Sequence, residues 1–134
     1  DQPVDFGPET ASRLPLDELL QGSQVLSLHC PLTEQTRGLL TREKLALLPL
    51  GAILINTARG GIMDEEAAMD LLTQGKIGGI GLDVYENEPK LNPRWRTMPR
   101  TVLLPHLGSA TVETREAMSK LLCDGIAEAL GNRP

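Results

Sequence analysis

Four short apolar runs, each bounded by Gly, Pro or a polar residue and separated by helical patterns, restrict this chain to very few folds. They are Val25-Leu-Ser-Leu-His29, Ala52-Ile-Leu-Ile-Asn56, Ile77-Gly-Gly-Ile-Gly-Leu82 and Thr101-Val-Leu-Leu104. Runs this short, without a 3.6-residue period, read as buried strands, and their alternation with helices predicts an α/β protein with a doubly wound parallel sheet. Ligands of such sheets bind beyond the carboxyl ends of the strands. Three of the four runs end there in reactive side chains: the second runs into Arg59, the third into Asp83 and Glu88, and the fourth into His106. Arg, Asp, Glu and His are therefore expected at one edge of one sheet.

The segments between the runs carry helix signals. Leu16, Leu19 and Leu20 have the spacing of a short amphipathic helix that Gly22 stops, and Thr33 to Arg37 reads as a polar connection. Thr41 is a predicted N-cap for a helix over 42–48, which Pro49 and Gly51 end. Asp64 with two following Glu residues starts a helix through about Thr73, with Gly75 as its stop. Residues 86–100 contain three prolines and no helical period, so they read as a long surface connection whose length suggests function. From Thr111 a sustained amphipathic pattern runs to Leu130, and such a helix needs a large apolar surface to cover.

Composition excludes other classes. Aromatic residues make up 2% of the chain and the net charge is -5, which removes base-stacking platforms and a basic nucleic-acid footprint. No apolar run approaches the ~20 residues of a membrane-spanning helix and no signal peptide is evident, so no membrane partner and a cytoplasmic location are expected. Cys30 and Cys123, far apart and in apolar patterns, are read as reduced. No Cys or His cluster has metal-ligand spacing, and no Gly-x-Ser-x-Gly elbow is present. The opening Asp1-Gln-Pro-Val-Asp5 lacks an initiator Met and reads as the exit from a preceding element.

Arg59 precedes Gly60-Gly61, where a flexible backbone would let a small molecule approach its planar fork of donors, suited to a carboxylate and an adjacent carbonyl. Alone it also fits a surface Arg in a strand-to-helix turn. His106 lies at the mouth of the fourth strand, where an imidazole can exchange protons near neutrality, and Glu88 can hydrogen-bond the ring, favour the imidazolium and orient it. A structural His with a solvated Glu is the alternative. Asp83 offers a carboxylate to an amide or hydroxyl, or caps a turn. His29 has no acid or base partner in sequence, which favours a structural or cofactor-lining role.

Four motifs occur together: His29-Cys-Pro-Leu-Thr33, Asn56-Thr-Ala-Arg-Gly60, Gly81-Leu-Asp-Val84 with Glu88-Pro89, and Pro105-His-Leu-Gly-Ser-Ala-Thr111. In order and spacing they resemble the D-isomer-specific 2-hydroxyacid dehydrogenases, over essentially the whole chain. The resemblance implies a Rossmann-type NAD-binding domain with NAD or NADP as cofactor and a small 2-keto or 2-hydroxy acid as substrate. It makes Arg59 the binder of substrate carboxylate and carbonyl, His106 the general acid and base, and Glu88 its partner. Asp83 would hydrogen-bond the nicotinamide carboxamide. Thr57, Ala58 and Arg59 with His106, Leu107, Gly108 and Ser109 would line the nicotinamide pocket, and Pro31 and Leu32 would lie near the adenosine half. Within the family the His106 motif and Asn92-Pro-Arg-Trp95 look most like glyoxylate and hydroxypyruvate reductases, with phosphoglycerate dehydrogenases second and non-catalytic corepressors on the same scaffold an alternative.

The family's substrate-binding segment, Gly-x-Gly-x-x-Gly turn and ribose-binding acid are not in this sequence. Residues 1–134 thus read as a partial dinucleotide-binding domain lacking strands 1 and 2, with helix 111–131 packing back toward a substrate domain. On the doubly wound order 3-2-1-4-5-6, the missing strands belong between the run at Val25 and the run at Ala52, leaving the first without ladder partners. The isolated chain is expected to have no appreciable activity, and the full-length parent is expected to be a homodimer.

Overall fold

The structure, a computed structural model, describes residues 12–131; the opening Asp1–Asp5 segment lies outside the described residues. A four-stranded parallel sheet forms from β1 (Val25–Leu28), β2 (Ala52–Asn56), β3 (Ile77–Leu82) and β4 (Thr101–Leu103), in the order β1-β2-β3-β4. Helices α1 (Leu16–Gly22), α2 (Arg42–Ala46) and α3 (Glu65–Thr73) alternate with the strands, and α4 (Val112–Gly131) follows β4. The α/β parallel-sheet expectation therefore holds element by element.

The strand order corrects one expectation. β1 pairs directly with β2, Leu26 opposite Leu54 and Leu28 opposite Asn56, so no gap separates the first two strands. The four strands make up the sheet in sequence order, and Val25–Leu28 has its ladder partner. A sheet that grows in one direction through crossovers of one hand carries all its connections on one face. Accordingly Leu20 of α1, Leu45 of α2, and Ala67, Ala68, Met69, Leu71 and Leu72 of α3 pack with Leu26, Leu28, Leu54, Ile77, Ile80 and Leu82 in one core.

The opposite face is bare among the described residues. Val25, Ile53 and Val102 are exposed, and an apolar hollow of about 430 Å³ runs over Ile53, Ile55, Gly79, Gly81, Val102 and Leu104. The strands are thus not buried on both faces, although their composition reads that way. Helix α4 likewise buries none of its residues, and Met118, Leu121, Leu122, Ile126 and Leu130 are exposed. Cys30 and Cys123 are free thiols, Cys123 exposed on α4 instead of in an apolar setting. No helix among the described residues is long and apolar enough to cross a membrane.

The helix boundaries follow their caps. The Asp64 carboxylate accepts from Ala67 N at 2.9 Å at the start of α3, and Gly75 beyond its end takes φ of +75°, a conformation that disfavours any side chain. The connection 86–100 departs from its reading as surface chain. A 3₁₀ turn over Pro93–Thr97, started by Asn92 accepting from Arg94 N at 3.1 Å, drives Trp95 into the core with 1% of its surface exposed.

Candidate active site

All four strands point their carboxyl ends the same way, and the loops beyond them carry every candidate residue. Beyond β2, the fully buried Asn56 side chain accepts from Ala58 N and donates to Arg59 O, both at 3.0 Å, closing the 57–59 turn. Arg59 leaves this turn extended and exposed, its Nη1 donating to Ala58 O at 2.6 Å. Gly60-Gly61 is not the flexible hinge expected from sequence. Gly60 is buried in a 3₁₀ turn, Gly38 N donates to Gly61 O at 2.9 Å, and a Cβ on Gly60 would overlap the Tyr85–Glu86 peptide. Glycine is there for close approach of two backbones, not for mobility.

Beyond β3, Asp83 is 5% exposed and its carboxylate accepts from Leu107 N at 2.7 Å and Gly108 N at 2.9 Å. The side chain assigned by resemblance to the carboxamide thus anchors the loop beyond β4, each oxygen with one donor. That anchor holds His106 at φ +57°, the left-handed region that a non-glycine residue rarely enters. His106 Nδ1 faces Glu88 Oε2 at 2.6 Å, and Glu88 Oε1 accepts from Tyr85 N at 2.7 Å. Tyr85 in turn donates its hydroxyl to Leu104 O at 2.8 Å.

The histidine and carboxylate, eighteen residues apart in sequence, are therefore joined as expected. Burial works against ionisation of Glu88, but the hydrogen bonds from His106 and Tyr85 N, with the charges of His106 and Arg59, hold its carboxyl below the usual range. Beyond β1, Pro31 and Leu32 share a cleft of about 570 Å³ with His29, Cys30, Ala58 and Arg59, so the residues assigned to opposite halves of the cofactor line one groove. Thr57 and Asp83 line the neighbouring hollow, and Leu107, Gly108 and Ser109 follow His106 in the loop that Asp83 anchors. Among the described residues the His29 ring bonds only Ser27, Nε2 to Oγ at 2.9 Å.

Sequence reasoning missed Glu65. It is 3% exposed in the first turn of α3, a place where the sequence alone reads as a helix-dipole match. Its Oε1 accepts from Glu86 N at 2.6 Å and its Oε2 from Trp95 Nε1 at 2.8 Å. Burial raises its carboxyl above the usual range, partly offset by these two hydrogen bonds. The signal was available in part: an isolated Trp in a proline-rich polar connection needs an acceptor if it is to be buried.

The chain matches the family model for the NAD-binding domain of D-isomer specific 2-hydroxyacid dehydrogenases over residues 2–108. It is 42% identical over 125 residues to a glyoxylate reductase of Thermococcus litoralis, covering 92% of this chain and 38% of that protein. It is 37% identical over 134 residues to a hydroxypyruvate reductase of Thermotoga maritima, covering 98% of this chain and 42% of that one. Among solved structures, an NADPH-dependent glyoxylate/hydroxypyruvate reductase of Sinorhizobium meliloti, in complex with NADP and malonate, superimposes with a TM-score of 0.90 at 32% identity, covering 98% of this chain and 41% of that one. The chain thus spans about two fifths of the length of these relatives. By its four strand-end motifs, its sheet and these matches, the chain belongs to the D-isomer-specific 2-hydroxyacid dehydrogenase family.

Proposed function

We propose that this segment supplies the proton-transfer and substrate-carboxylate half of an NAD(P)-dependent reductase of small 2-keto acids such as glyoxylate or hydroxypyruvate. The observation that carries the reading is the 2.6 Å contact of His106 Nδ1 with Glu88 Oε2 at the strand edge that also carries Arg59. A bound nicotinamide supplies or accepts the hydride. The groove along Pro31, Leu32, Ala58 and Arg59, and Thr57 at the adjoining hollow, mix apolar faces with polar donors as a nicotinamide needs, and with Leu107 to Ser109 of the His106 loop these residues would hold it. Asp83 reaches the carboxamide, on this reading, through lone pairs not used by Leu107 N and Gly108 N.

The protein's own groups divide the remaining work. Glu88 accepts from Nδ1–H and so fixes one tautomer, which leaves Nε2 to carry the proton toward the substrate oxygen. Tyr85 N holds Glu88 Oε1, so the carboxylate cannot swing away from the ring. Arg59, extended and exposed at the turn that Asn56 closes, receives a substrate carboxylate on a planar pair of N–H donors and polarises the adjacent carbonyl. A keto acid held by its carboxylate on Arg59 would take the proton at its carbonyl oxygen from His106 Nε2.

The sequence contains no Gly-x-Gly-x-x-Gly turn, so the activity is proposed for the protein in which this segment meets a dinucleotide phosphate site, and the 134 residues alone are expected to show none. The test is His106→Gln in that longer protein, followed by NADH or NADPH oxidation with glyoxylate and hydroxypyruvate and by cofactor titration. Turnover is expected to fall by at least about 100-fold, the scale of a lost general acid, with cofactor affinity within about twofold. Turnover retained with cofactor binding lost would overturn the assignment.

A further inference from the structure

Three polar or charged residues are buried among the described residues: Asn56, Asp83 and Glu65. The first two hold the backbones of the Arg59 and His106 loops, as described above. Glu65 has the same form, a buried side chain satisfied by donors from a loop at the carboxyl edge, and the mechanism gives it no part. We propose that Glu65 is the positioning residue of the Glu88–His106 pair, clamping from the first turn of α3 both ends of the loop that carries Glu88. The inference deepens the acid-base reading and rests on it.

The geometry supports a clamp. Glu65 Oε1 takes Glu86 N, two residues before Glu88, and Oε2 takes the indole of Trp95, seven residues after it. The neighbouring Glu66 grips the same loop from outside, accepting from Asn92 Nδ2 at 2.5 Å and pairing with Arg94. Gly60 lies against the Tyr85–Glu86 peptide so closely that no side chain fits, which joins the Arg59 turn to the first clamped end. Tyr85 N, in that same stretch, is the donor that fixes Glu88 Oε1. A carboxylate at 3% exposure is costly to bury unless its oxygens are matched by fixed donors. Both oxygens act as acceptors, which a Gln amide cannot reproduce, because its nitrogen would confront either an amide N–H or the indole N–H.

The test uses the ¹⁵N-labelled 134-residue chain and reads the His106 imidazole by NMR together with the emission of Trp95, the sole tryptophan. In the parent chain the His106 ring ¹⁵N shifts are expected to show one tautomer, with Nδ1 protonated toward Glu88. Glu65→Gln should mix the tautomers and move Trp95 emission to longer wavelength, while the amide shifts of β1 and β2 stay in place. Adding Trp95→Phe to Glu65→Gln removes the opposing indole donor, so the Gln carbonyl can accept from Glu86 N, and the His106 signal should return. If Glu65→Gln does not fold, Trp95→Phe alone, which removes one of the two bonds, should weaken the same signal. An unchanged His106 signal in the Gln variant, or in Trp95→Phe where that variant is the one that folds, would reduce Glu65 to a purely structural residue and overturn the proposal. None of these readouts needs turnover. An active His106→Gln enzyme would therefore refute the acid-base reading while leaving the clamp itself measured.

Discussion

Replacing Gly60 with alanine tests whether the strand-end loops form one rigid unit. An added Cβ would stand under 3.0 Å from Tyr85 C, Tyr85 O and Glu86 N, all backbone atoms that no rotamer change can move. Insertion of a methyl group into a packed site ordinarily costs about 1–3 kcal/mol, and an overlap with backbone lies at or above the top of that range. Relief requires the Tyr85–Glu86 peptide to retreat, which pulls Glu86 N off Glu65 Oε1 and leaves a buried carboxylate short of one donor, a further ~1–3 kcal/mol. A total near 4 kcal/mol is a large part of the ~5–15 kcal/mol that holds a domain together. With a urea slope of about 2 kcal/mol/M, the unfolding midpoint should fall by about 2 M.

The assay is urea unfolding followed by Trp95 emission, with Gly125→Ala as the control. Gly125 lies inside α4 with open space where a Cβ would stand, so alanine there should raise helix content through propensity, worth about 1 kcal/mol locally, and leave the Trp95 transition in place. A Gly60→Ala midpoint within about 0.3 M of the parent value, an allowance set by extrapolation scatter, would refute the close-approach reasoning. It would return Gly60 to the flexible role first read from the sequence.

Two further outcomes follow from the same geometry. Asp83→Asn loses one of two acceptors for Leu107 N and Gly108 N, so it should cost about 1–3 kcal/mol and speed hydrogen exchange at those two amides; unchanged exchange would remove Asp83 as the anchor of the His106 loop. Glu88, whose carboxyl is held below its ordinary value of 4.5 in the folded chain, contributes stability that is present above that value and lost as pH falls through the folded one. The stability difference between the parent and Glu88→Gln, measured by urea unfolding at stepped pH, should accordingly shrink on acidification below about pH 4.5, and a difference independent of pH would contradict it.

The strands and helix starts were legible because each has a local cause. Alternation and run length mark β1 to β4, and Asp64 and Thr41 cap their helices as their sequence positions predict. Arg59, Glu88 and His106 were legible because strand ends in a parallel sheet share an edge. Pairing order was not, since which strand neighbours which depends on the long-range match of β1 to β2, and the sequence carries no local mark of it. The role of Gly60 was hidden for a similar reason: a glycine used for backbone approach and one used for freedom look alike until the Tyr85–Glu86 peptide is seen against it. Trp95 was read as surface because its 3₁₀ turn has no helical period.

Burial separates the site's side chains by task. Asn56, Glu65 and Asp83 are out of solvent and spend their hydrogen bonds on loop donors and carbonyls, and among the described residues no buried side-chain polar atom lacks a partner. Arg59, Glu88 and His106 retain exposure, which leaves the guanidinium fork and the imidazole Nε2 open to a small molecule. On the proposed function, loops held this way need no ordering when a substrate arrives, and the entropy of arranging them is met during folding, where the apolar core of Leu54, Ile80 and Leu82 stands behind them. The exposed ion pairs of Arg42 and Arg94 with Asp70 lie between α2, α3 and the Pro93–Thr97 turn and bear on the site only through that turn. Polar residues that set the site's geometry thus lie in dry surroundings, where a hydrogen bond is directional and costly to break, and those proposed to meet the substrate lie at the wet rim.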